Sequence, residues 1–309
     1  MPEMLEQSLK KMIFLVCIST ALWGNVLSQS LLYYTARTNF PGARAAGFAD
    51  AFVSDAHDVS SMYWNPGALA YLKQSSVILN YSQEQVIRGM EEDITFPFRV
   101  SEGEALTGGI SVNNVGYFGT RSETAFRAVQ YTATVAYARE ILPSFSVGAS
   151  AALQYGKTDV SKLWSRSSSI GILYVPDDQL SYGASFSGIG SGMLYTSDRS
   201  TTTLTTQNLP RILSAGASVR FPGGPDRPVF ILSASNQKLF GESGIRYNGG
   251  IEIWPFKVLA LRGGYLVYPH LSAARFGMGL HLAAIELDSS ISPSKLTDQA
   301  VHFSLAIDL

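Results

Sequence analysis

The sequence predicts an all-β protein: a transmembrane antiparallel β-barrel of about fourteen strands, with a small N-terminal hatch or plug segment. Three observations carry this. The first is a period-two rhythm, plainest at Phe145 to Lys157. There Phe145, Val147, Ala149, Ala151, Leu153 and Tyr155 alternate with Ser146, Gly148, Ser150, Ala152, Gln154 and Gly156. One face of such a strand suits oil and the other a polar interior. The second is charge. Only 15% of the 309 residues are charged, against roughly 25% in a typical soluble domain, and the second face carries small polar residues where a solvated sheet would carry Lys and Glu. The third is the chain start. Lys10 and Lys11, the apolar run Met12 to Leu22, and the small residues Val26 and Ser28 read as a secretory signal ending before Gln29. That run is shorter than the ~20 residues a membrane-spanning helix needs, and no later stretch is long and apolar enough. A chain of this kind crosses a membrane only as a closed barrel.

The elements follow in order. Residues 1–28 are read as the signal peptide, 29–74 as the hatch and 75–309 as the barrel. The only cysteine, Cys17, lies in the signal, so the mature chain has no disulfide, thiol catalysis or Cys-ligated zinc. The hatch does not alternate. It is rich in Ala and Gly from Pro41 to Phe52, and Asn65-Pro66-Gly67 is a strong turn signal. Strands are expected around Val77 to Ser82, Asp93 to Val100 (bulged at Pro97), Ala105 to Tyr117, Gln130 to Tyr137, Phe145 to Lys157, Ser167 to Val175 and Leu180 to Ser187. Ser197 to Gln207 reads as an external loop. Further strands are expected at Leu213 to Phe221, Val229 to Asn236, Arg246 to Trp254, Val258 to Tyr268, Ala273 to Asp288 and Val301 to Leu309. The Ala273 run changes phase at Ala283-Ala284, which suggests a bulge. That makes about thirteen runs; single-chain bacterial barrels use even numbers, so a further strand is expected near Gly190 to Tyr195. Tyr131, Tyr137, Tyr155, Tyr182, Trp254 and Tyr268 are expected in aromatic girdles.

Enzymatic chemistry finds no support. His57, His270, His281 and His302 lack metal-ligand spacing, and no serine lies in a Gly-x-Ser-x-Gly elbow. No cofactor is expected. The net charge of -1 gives no reason for a nucleic-acid partner. The suggestive charges are Arg220, Glu252, Arg262, Arg275 and His281, all on the face opposite the apolar rows. They read as a lumen charge network, with Glu252 diagonally near Arg262 across a hairpin. Arg44, Asp50, Asp55 and Asp58 of the hatch are its natural partners. Asn65 is expected to bond nearby backbone at its turn, with Pro66 fixing φ.

The segment Gly42-Ala-Arg-Ala-Ala-Gly-Phe-Ala-Asp-Ala-Phe-Val-Ser-Asp55, followed by Ser60-Ser-Met-Tyr-Trp-Asn-Pro-Gly-Ala-Leu69, resembles the start of PorV-like proteins, within the superfamily of FadL-type outer-membrane transporters. The resemblance makes Arg44, Gly47, Asp50, Asn65, Pro66 and Gly67 a hatch motif ahead of a fourteen-stranded barrel. It implies a place in the bacterial outer membrane, among its lipids. It also implies a non-enzymatic role as component of, or accessory to, a type IX-like protein secretion machine, with secretion or other envelope proteins as partners. The alternatives are a FadL-like channel for a hydrophobic small molecule and a structural barrel in a larger envelope complex.

Overall fold

The computed structural model describes residues 41–55, 58–84, 89–118, 126–158, 161–197, 203–207, 209–222, 228–269, 271–293 and 300–309. The expected signal peptide and the first part of the hatch lie outside these residues.

Three short helical pieces open the described chain: α1 (Ala43–Gly47), α2 (Ser61–Trp64) and a 3₁₀ turn η1 (Pro66–Tyr71). The strands follow as β1 (Ser76–Glu84), β2 (Gly89–Ser101), β3 (Glu104–Phe118), β4 (Phe126–Leu142), β5 (Phe145–Thr158), β6 (Ser161–Tyr174) and β7 (Leu180–Ser197). After a short β8 (Thr203–Gln207) come β9 (Ile212–Pro222), β10 (Pro228–Leu239), β11 (Arg246–Phe256), β12 (Leu259–Tyr268), β13 (Leu271–Leu282), β14 (Ile285–Ser292) and β15 (Ala300–Asp308). Each strand pairs antiparallel with its neighbour, β7 passes over β8 to pair with β9, and β1 pairs with β15 from Ser76↔Asp308 to Glu84↔Ala300. The ring is a closed antiparallel barrel of 14 strands, with β8 hydrogen-bonded only to β7. Closure leaves no wall strand with an open edge.

Two sequence expectations change. The long Ala273 strand is two strands: Ala283-Ala284 is a hairpin turn, with Ala283 at φ 51. Alanine is not a turn-forming residue, so the break in phase looks like a bulge from sequence alone. This supplies the missing strand, which does not lie near Gly190 to Tyr195. Those residues continue β7, an 18-residue strand, and part of the expected Ser197 to Gln207 loop is β8. The bulge expected at Pro97 is a register shift between Pro97 and Arg99 against β3.

The alternation sorts side chains cleanly. Outward positions carry exposed apolar residues on β1–β7 and β11–β15, such as Leu153 at 64%, Phe276 at 54% and Phe303 at 51%, whereas the outward Ala217 and Val219 of β9 are buried. An apolar band of this extent is the surface that hydrocarbon covers. Tight turns at Glu102-Gly103, Pro143-Ser144, Lys257-Val258 and Ala283-Ala284 share one end with the start of β1 and the end of β15. Short turns mark the periplasmic end of such barrels.

The core sits inside the ring. Val59, Met62, Leu69, Ala70 and Leu72 of the hatch pack with Ile78, Ala105, Ala136, Ala138 and Ala306 of the wall. Four of these five wall residues are alanines because the hatch occupies the space. Glycines do the same where backbone meets backbone: a Cβ on Gly171 would stand 2.0 Å from Asn65 Oδ1, and one on Gly148 2.4 Å from the Pro66 carbonyl.

Candidate functional site

The hatch is short in regular structure, so many of its backbone carbonyls need partners from outside. The inward serines of the wall supply them. Ser146 Oγ donates to Gly67 O at 2.7 Å, Ser181 Oγ to Ser54 O at 2.7 Å, and Ser185 Oγ to Trp64 O at 2.8 Å. Ser233 Oγ donates to Ala51 O. At the start of α1, Ala43 N–H donates to Ser304 Oγ at 2.8 Å. The small polar face of the strands is thus, in its lower half, the seat of the hatch.

Charge fixes the hatch on the other side. A continuous chain of ion pairs runs from β9 through the hatch to β14. Arg220 Nη2 meets Asp55 Oδ1 at 2.6 Å, Asp55 Oδ2 meets Arg44 Nη2 at 2.7 Å, and Arg44 Nε meets Glu252 Oε2 at 3.1 Å. Glu252 Oε2 also takes Arg262 Nε at 2.6 Å, and Arg262 Nη1 reaches Asp288 Oδ1 at 2.5 Å. Three guanidiniums alternate with three carboxylates, so the chain is neutral. Burial works against the charge on Arg44, but Asp55, Glu252 and Asp58 outweigh it and hold its pKa well above the ordinary value. The Arg44 guanidinium also lies 5.5 Å from the Phe48 ring centroid and 5.2 Å from that of Phe52.

A second clasp holds Asp50. Its carboxylate takes Arg246 on one oxygen and Arg275 Nη1 at 2.8 Å on the other, and its carbonyl accepts from Asn248 Nδ2 at 3.2 Å. Ala49 and Asp50 are both left-handed, at φ 51 and 65, so this turn is strained and the clasp holds it in place.

The sequence-predicted residues are therefore brought together. Arg44 joins Glu252, which is directly opposite Arg262 in the β11–β12 register rather than diagonal to it. Asp50 joins Arg275, and Asp55 joins Arg220. Asp58 instead serves a local turn, accepting from Ser60 N–H at 2.8 Å, and burial pushes its carboxyl upward against the pull of Arg44. Asn65 works locally and at long range: Oδ1 accepts from Gly67 N–H at 3.1 Å, while Nδ2 donates to Val53 O at 2.8 Å and to Ile172 O at 2.9 Å. Pro66 opens η1, and Gly67 passes so close to β6 that a Cβ would stand 2.7 Å from Gly171 O. Gly47 lies against Gly277 and Arg262. Trp254 leaves the expected girdle and points into the lumen, donating from Nε1 to Glu252 Oε1 at 3.0 Å and packing on His281. Tyr268 also turns inward, bonding Glu242 at 2.8 Å. Tyr131 and Tyr155 do stack outward.

Sequence reasoning missed Arg246, Asp288 and Asp93. The first two sit at inward parity on strands already recognised, so parity alone could have found them. Asp93 takes Asn80 Nδ2 and Thr95 Oγ1, each at 2.8 Å, and Tyr63 OH at 2.6 Å. Burial and Asp93 push the Tyr63 hydroxyl well above its usual range, which keeps it a donor.

Comparison with protein-family models and with curated protein sequences returns no match. Among solved structures the chain is similar to the Ralstonia pickettii toluene transporter TbuX (TM-score 0.65, 12% identity), covering 86% of this chain and 97% of that one. It is similar to the CymD monoaromatic hydrocarbon channel (TM-score 0.64, 12% identity), covering 87% and 97%. It is also similar to a Pseudomonas aeruginosa FadL homologue (TM-score 0.60, 11% identity), covering 86% and 97%. At these identities the likeness is one of fold: a closed fourteen-stranded barrel of the FadL type.

Proposed function

We propose that this barrel is an outer-membrane channel of the FadL type, passing small molecules with substantial apolar character, and that its hatch controls the route. The supporting observation is the end-to-end likeness in fold to transporters of toluene and monoaromatic hydrocarbons, which spans 97% of TbuX. The hatch fills the lower lumen, so passage requires its movement or a way around it. The β6–β7 seam is a natural side exit. It carries two register shifts, and Gly188 beside it is left-handed at φ 79, so its ladder is interrupted. The secretion role implied by the hatch motif stands second, because none of these structural relatives is described as a secretion component.

The test is uptake of labelled toluene by intact Gram-negative cells carrying the protein, measured against cells without it. Ser54→Cys with Ser181→Cys tests a cross-link of hatch to wall, where the Ser181 hydroxyl reaches the Ser54 backbone carbonyl at 2.7 Å. Uptake above background, lost on oxidation and restored by reductant, is the expected result. Background uptake both of toluene and of its hydroxyl-bearing analogue benzyl alcohol would overturn the channel reading, and co-purification of a large translocon would put secretion in its place.

A further inference from the structure

We propose that the upper lumen along β3–β7 is a contact surface for uncharged passengers that carry a hydroxyl, carbonyl or amide group on an apolar body. This rests on the channel reading above and narrows its substrate class.

The inner wall is divided by chemistry. The wall guanidiniums of both clasps, Arg220, Arg246, Arg262 and Arg275, and the wall carboxylates Glu252 and Asp288 come from β9–β14. Among the described residues, the inner face of β3–β7 carries one carboxylate, Glu140. It sits at the turn end, accepting from Ser144 N–H at 2.8 Å. Above the hatch that same face presents Ser111, Thr132, Thr134, Gln154, Ser165 and Ser167, at the parity opposite to exposed Ile110, Tyr131, Val135, Leu153 and Trp164. It presents no described aromatic or branched aliphatic side chain there.

These groups differ from the serines lower down. Ser146, Ser181 and Ser218 are fully buried, with their hydroxyls bonded to hatch carbonyls. Ser111, Thr132, Thr134 and Ser167 are only half-buried, and none of their hydroxyls bonds the hatch. An inward side chain that keeps part of its surface open borders lumen, because lipid cannot reach it. A pure hydrocarbon pressed against this wall would strip water from the hydroxyls and return no hydrogen bond. A passenger with its own donor or acceptor replaces that water. A charged passenger finds no counter-charge among the described residues of this face above the hatch and loses its hydration.

The test uses a matched set in intact cells carrying the full-length protein: toluene, benzyl alcohol and benzoate, with the uptake of cells lacking the protein subtracted. The comparison variant combines Thr132→Val, Thr134→Val and Ser167→Ala, which keep shape and remove hydroxyls; heat-modifiable migration confirms that it folds. Benzyl alcohol is expected to enter faster than toluene or benzoate. The variant should lower benzyl alcohol uptake about three- to tenfold, the loss of one or two hydrogen bonds, without lowering that of toluene. If toluene enters but benzyl alcohol does not, or the variant treats benzyl alcohol as wild type does, the proposal falls and the channel reading stands. Preference for benzoate also overturns it. If no probe exceeds background, the channel reading fails and the proposal fails with it.

Discussion

Arg44 joins two carboxylates and two aromatic rings from one position in the hatch. Its removal would leave Glu252, which is 1% exposed, and Asp55 each with one guanidinium fewer. Arg44→Ala is expected to lower stability by about 3–5 kcal/mol, as for other broken buried pairs, read from urea unfolding in detergent. Arg44→Lys should recover only part of this, because one ammonium cannot replace a fork that serves both carboxylates. An unfolding curve superimposable on wild type for Arg44→Ala would refute the clasp. Asp58 predicts a pH effect of the opposite kind. Its carboxyl titrates above the ordinary value because burial disfavours the charge. The folded state therefore holds the proton more tightly than the unfolded one, and stability falls as pH rises from the unfolded pKa through the folded one. Asp58→Asn should protect the hatch from proteolysis better than wild type at neutral pH, with the difference vanishing below about pH 4. A difference that grows on acidification would contradict the assignment. At this scale the sequence was legible where parity decides. Arg220, Glu252, Arg262 and Arg275 fall on the inner face by counting alone. Tyr63 with Asp93 was not legible, because the height at which a non-repeating hatch meets each strand is set by tertiary packing.

Elements show where packing is decisive. Gly171 and Gly148 leave room for the Asn65-Pro66-Gly67 turn. Gly171→Ala puts a methyl where Asn65 Oδ1 now stands, so the turn must lift away. We expect the barrel to remain folded by heat-modifiable migration while the hatch becomes open to protease; an unchanged digestion pattern would show that the turn is not seated there. Ala283→Gly tests the hairpin that was read as a bulge. Alanine at φ 51 sits in a region that costs an L-residue about 1–2 kcal/mol. Glycine should therefore stabilise by about 0.5–1 kcal/mol after its own unfolded-state entropy is set against this, measured by urea titration; destabilisation would mean that the methyl packs usefully. Strand existence and facing were plain in the sequence because period two is a local signal. Strand ends and this turn were not, since β13 and β14 run on with only two alanines between them.

The whole molecule is a wall whose inner surface serves two purposes. On β9–β14 it grips the hatch with charge, and on upper β3–β7 it faces the lumen with neutral polar groups. The barrel was legible because the lipid-facing rows and the scarcity of charge agree. The division of the lumen was not, because it appears only when strands distant in sequence are placed around one ring. The closure of β15 on β1 bears on how such a molecule comes into being. The hatch is made first, yet Ala43 waits for Ser304, 261 residues later, and the last wall strand ends at Asp308. No partial chain holds the full set of partners: the wall partners of Arg44, Asp50 and Asp55 come only with β9, β11 and β13, and that of Ala43 only with β15. Contacts so remote in sequence make for slow, exposed folding intermediates. Closure thus completes the seat: the ring must curl around a hatch whose partners are spread over distant strands, and the pairing of β15 with β1 is what shuts it in.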